Sequence, residues 1–70
     1  MLSRTFKATV KLANRPAWKI AFEVGLHPNV LSKIMTGAVQ VKHGDQRVID
    51  IGSLLGLKPE ECFEPYDKEN

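Results

Sequence analysis

Prolines and glycines cut this chain into short segments, and that punctuation limits it to an assembly of short helices. Pro16 can stand in a first helical turn, and Gly25 accepts a left-handed backbone at little cost, so the two open and close one helix. Pro28 and Gly37 do the same for the next. In the first of these, Ala17, Ile20, Ala21 and Val24 fall at i, i+3, i+4 and i+7 and form one apolar stripe. Leu26 then packs beneath the turn, and His27 takes the N-cap position of the helix that follows. No stretch alternates polar and apolar residues for long enough to make a strand, so the expected fold is all-α.

The remaining segments follow the same logic. Helix one runs from Ser3 to Ala13, with Leu2, Phe6 and Val10 recurring every fourth residue, until Asn14-Arg15-Pro16 interrupts it. After helix three, residues 38–43 form a loop. Helix four starts at Gly44 or Asp45, carries Val48, Ile51, Leu54 and Leu55 as its stripe, and ends at Gly56. Pro59 opens a short fifth helix, PEECF, that buries Cys62 and Phe63. Gly52 lies inside helix four, where glycine costs about 1 kcal/mol relative to alanine, and close approach of another helix is the expected reason. Residues 1–63 make the domain, and residues 64–70, EPYDKEN, a polar tail.

A length of 70 residues with 43% hydrophobic side chains permits one domain with a small core. Domains of about 60 residues bury only about 60% of their unfolded surface, so a binding surface is expected rather than a deep catalytic cleft. Cys62 is the sole cysteine, which excludes an intrachain disulfide and a thiolate zinc cluster and fits a reducing cytoplasm. His27 and His43 have no partner at metal-ligand spacing and no triad around them, so neither a metal, a cofactor nor a small-molecule ligand is expected. No nucleophile elbow or phosphate-binding glycine loop is present, and an enzyme is not expected. No apolar run approaches the roughly 20 residues of a membrane span.

Charge is divided unevenly. Residues 1–42 hold seven Lys and Arg against Glu23 alone, whereas residues 43–70 hold three against seven acids. The cationic half suits a polyanion partner, although a merely solvated face would look the same. Helix three sharpens the choice. Wound at about 100° per residue, Val30, Leu31, Ile34 and Met35 share its apolar face, while Asn29, Ser32, Lys33 and Thr36 make the opposite face wholly polar. That polar face has no acid. Asn can bind adenine, Lys guanine, and Ser or Thr a base or phosphate, and the helix N-terminus with its N–H groups favours a phosphate.

The ordered set Ile20-Ala21, Gly25-Leu26, Leu31-Ser32, Ile34, Gly37, Ile51, Leu54-Leu55-Gly56-Leu57 and Glu61 to Phe63 resembles the lambda-repressor/Cro-like helix-turn-helix family, also called the XRE family. The resemblance covers roughly residues 3–63 and implies a five-helix lambda-repressor-like DNA-binding domain with a central helix-turn-helix. It implies that Pro28, Asn29, Ser32 and Lys33 face bases or nearby phosphates, and that Thr36, Gln40, Lys42 and His43 approach the backbone or groove edge. Ala17 departs from the family pattern, which often has a Gln there to hold a phosphate, and Arg15 or Lys19 is the expected substitute.

The expected function is therefore a sequence-specific duplex-DNA-binding transcriptional regulator of bacterial or phage type, a cytoplasmic repressor with no separate effector domain. The alternative is a protein-interaction module of the same fold, an antitoxin or phage accessory factor, working through Trp18 and Phe22. Those two lie beside the apolar stripe of helix two. They either pack on helix one or on the tail with Tyr66, or stand exposed as an anchor for another protein or a second copy.

Overall fold

A computed structural model describes residues 2–64. They form four α-helices in succession, α1 Arg4–Leu12, α2 Ala17–Glu23, α3 Pro28–Thr36 and α4 Gln46–Leu54, followed by one 3-10 turn at Pro59–Glu61. Among the described residues no strand forms, and Leu2 and Phe63 make an isolated antiparallel bridge. The expected fifth helix is thus reduced to a single 3-10 turn, so the all-α expectation holds while the count of five does not. The Cys62 N–H returns to the Pro59 carbonyl at 3.1 Å, and the chain then leaves for the bridge at Phe63, with no room for an α-helical turn. Residues 65–70, including Tyr66 and the rest of the tail, lie outside the described residues.

The core is one cluster. Leu2, Phe6 and Val10 from the α1 region meet Ile20 and Ala21 of α2, Leu31 and Ile34 of α3, Val48 and Ile51 of α4, and Cys62 and Phe63. These are the residues that helical periodicity selects, with two corrections. Ala17 is exposed because it is the first residue of α2 and overhangs the core. Leu54 is 36% exposed because α4 ends there, leaving Leu55 as the better-packed partner.

Ser3 closes the fold. It is fully buried, and its hydroxyl accepts the Phe6 N–H at 3.0 Å as the N-cap of α1 while donating to the Glu61 carbonyl at 2.6 Å. Its backbone N–H also donates to the Cys62 carbonyl at 3.0 Å. One side chain therefore starts the first helix and pins the last turn to it.

Gly52 explains how that last turn approaches so closely. A Cβ at Gly52 would collide with the Cys62 sulfur and touch Leu57 Cβ at 3.5 Å. The close approach foreseen at this glycine is made by the end of the 3-10 turn. The Gly52 carbonyl also accepts the Leu57 N–H at 2.7 Å, which folds the chain back after α4.

Two measurements test this closure. Ser3→Ala removes a cap and a buried donor and should lower the unfolding free energy by about 2 kcal/mol in urea titration. Gly52→Ala should also destabilise, by about 1 to 3 kcal/mol, because overpacking outweighs the gain in helix propensity. The double variant Gly52→Ala/Cys62→Ala should lose less than the two single variants added together, since the new methyl fills the space the sulfur leaves.

Candidate nucleic-acid interface

The candidate surface is built on α2, α3 and the turn between them. At the end of α2, the Leu26 N–H donates to the Ala21 carbonyl at 2.8 Å and the Gly25 N–H to the Phe22 carbonyl at 3.0 Å. Gly25 takes a φ of 79°, a region that side-chain-bearing residues avoid. This tight turn drops Leu26 against the core and delivers the chain to His27. His27 caps α3 as expected, its Nδ1 accepting the Asn29 N–H at 3.0 Å.

That cap corrects one expectation. Pro28 has no N–H, Asn29 donates to His27, and Val30 donates to the His27 carbonyl at 2.9 Å. The first donors of α3 are satisfied internally, so a phosphate near this helix must be held by side chains and by the helix dipole.

The two faces of α3 separate cleanly. Leu31 and Ile34 are buried, Val30 and Met35 are half-buried, and Asn29, Ser32, Lys33 and Thr36 are all exposed. Pro28 is half-buried at the start. The Thr36 hydroxyl sits 3.4 Å from the Lys33 carbonyl, too long to hold it firmly, so it is available to another partner.

Helix one adds two cations, Lys7 and Lys11, that the sequence did not distinguish from its others, beside the expected Arg15. Two hollows flank the C-terminal half of α3, with Met35 and Thr36 on the rim of both. Lys7 and Gln40 line one, and Lys11, Arg15 and Ser32 line the other. Lys7, Lys11 and Arg15 thus run beside the exposed polar face of α3. Their spacing of four residues carried this signal, but nothing in the sequence told which side of helix one faced helix three.

The other candidates are placed less evenly. Arg15 is ion-paired with Glu23, the one acid of the cationic half, and that pair ties the segment before α2 to its last turn. Ala17 lines the hollow beside Ser32 and Thr36, whereas Lys19, two residues on, lies about 200° further round the helix. Arg15, and not Lys19, is therefore the cation near the position where Ala17 stands. Lys42 and His43 are exposed on the loop, and the His43 ring rests on Phe63 with centroids 5.0 Å apart. Trp18 and Phe22 are 54% and 63% exposed, so helix one does not cover them, and the tail with Tyr66, the other cover considered, lies outside the described residues.

No family model matches the chain, and comparison with curated proteins and with solved structures gives no significant match. No helix among the described residues is long and apolar enough to cross a membrane.

The loop that carries Gln40, Lys42 and His43 is anchored at Asp45. This residue caps α4 by accepting the Arg47 N–H at 2.9 Å, and it grips the Arg47 guanidinium at 3.1 and 2.7 Å. The Asp45 N–H returns to the Lys42 carbonyl at 3.0 Å. The hydrogen bonds from the Arg47 side chain hold the Asp45 carboxyl below its ordinary value of 3.8, against the opposing effect of burial. A depressed folded-state value means that the carboxylate contributes stability above pH 3.8, and that this is lost as pH falls through the folded value. Urea midpoints followed down from about pH 5 should therefore drop, and Asp45→Asn should flatten that drop.

Proposed function

We propose that the chain is a sequence-specific duplex-DNA-binding transcriptional regulator, a repressor of the lambda-repressor/Cro-like helix-turn-helix type. In this reading α2 and α3 are the helix-turn-helix, and α3 enters the major groove. The observation that carries it is the exposed, acid-free face of Asn29, Ser32, Lys33 and Thr36, flanked by Lys7, Lys11 and Arg15. Asn29, Ser32 and Lys33, with Pro28 shaping the helix start, choose the sequence, because amide, hydroxyl and ammonium groups match base-edge donors and acceptors. Lys7, Lys11, Arg15, Thr36, Gln40, Lys42 and His43 follow the phosphates and set affinity. Repression then requires only that the bound protein block access to the site. Half-sites for two copies would lie about 34 to 36 Å apart.

A second reading, a protein-interaction module working through Trp18 and Phe22, is favoured by the exposure of those rings. The two separate on selection from a random duplex pool at about 50 and 200 mM salt. On the DNA reading a motif is enriched, and Asn29→Ala and Lys33→Ala each weaken it by about 1 to 3 kcal/mol and relax its sequence. Lys11→Ala weakens all sequences alike and lowers the salt slope by about 1. Absence of a motif, with residual binding indifferent to Asn29 and Lys33, would sink the DNA reading in favour of the second.

A further inference from the structure

The DNA reading gives no role to one large apolar feature. Trp18 and Phe22 stand one turn apart on α2, more than half exposed, their ring centroids 6.0 Å apart and their planes at 80°. They touch each other edge to face and make a ridge along the helix. Lys19 and Glu23 each follow one ring by a single position, so a cation and an acid flank the ridge on the same side. Arg15 already binds Glu23, but only one carboxylate oxygen is engaged in that pair.

We propose that this ridge is the contact between two copies of the chain, with α2 packed antiparallel on α2 about a twofold axis. In that arrangement Trp18 of one copy meets Phe22 of the other, and the meeting occurs twice. Lys19 of one copy comes beside Glu23 of the other, also twice. Parallel pairing would instead put these flanks on opposite sides of the contact, leaving Lys19 and Glu23 without a charge partner across it. The order Trp-Lys-x-x-Phe-Glu is thus self-complementary only when reversed, which is what a closed twofold interface requires.

Area sets the strength. Four aromatic side chains, each a little more than half exposed, offer on the order of 500 Å² to such a contact. With the flanking residues included, the interface stays at or below the roughly 1,200 Å² where stable complexes begin. The dimer is therefore weak and concentration-dependent, and it stands independently of the DNA reading.

Sedimentation equilibrium of the whole chain without DNA, up to about 1 mM, tests this directly. The average mass should rise towards that of a dimer. Emission from Trp18, the only tryptophan, should shift to shorter wavelength over the same concentrations. Phe22→Ser, which spares the reporter, should weaken association at least about tenfold while thermal melting shows the fold intact. Lys19→Glu and Glu23→Lys should each associate less well alone, and their mixture should regain association, because each then supplies the charge the other lacks. A wild type monomeric throughout the range would overturn the proposal. So would a dimer indifferent to Phe22→Ser, or a mixture no better than its components.

Discussion

The buried hydroxyl of Ser3 is the interaction on which the arrangement of helices rests. It holds residues 58 positions apart in sequence, and it does so with both of its hydrogen-bonding capacities, as acceptor for Phe6 and donor to Glu61. Joining such distant parts of a chain costs loop-closure entropy, and a domain this small has little apolar surface with which to offset it. The Leu2–Phe63 bridge and the Ser3–Cys62 backbone bond add directional contacts where apolar area is scarce. Phe6 and Val10 are thereby fixed over the core, and Lys7 and Lys11, alternating with them, are fixed toward α3.

This chain of dependence links the packing of one end to the charge of one face. Lys7 and Lys11 line the hollows beside Thr36 because of how α1 docks, and the start of α1 is held by the Ser3 closure. The Cys62 thiol takes part in the same closure. It is fully buried, its sulfur donates to the Lys58 carbonyl at 3.5 Å, and burial, aided by the nearby Glu61 and Glu60 charges, pushes its pKa up. It behaves as a small apolar wedge against Gly52 and carries no reactive thiolate.

Much of the fold was legible in the sequence because helix starts and stops are local events. Pro28, Gly37 and His27 act within one turn of themselves, and the stripe of α3 is a matter of spacing alone. Gly52 was legible for the opposite reason, since a glycine inside a helix is an anomaly that only a close neighbour explains. What could not be read depended on contacts between distant segments. Nothing marks Ser3 among other serines as a buried double partner. Nothing local shows that the Pro59 segment must turn away to pair with Leu2, or that Ala17 overhangs the core its spacing matches. The surface showed the same division. The acid-free face of α3 was visible from composition, whereas the cations beside it depended on how α1 docks, and the exposure of Trp18 on what fails to cover it.

Asn29, Ser32 and Lys33 carry almost no responsibility for the fold. The cap of α3 is supplied by His27, its anchoring to the core by Leu31 and Ile34, and its termination by Gly37 with a φ of 84°. The exposed side chains are therefore free to change identity without disturbing the scaffold that presents them. On the DNA-binding reading proposed above, a lineage carrying this framework could move from one target to another by single substitutions, each tolerated by the folded state, with its stability and its choice of target drifting independently.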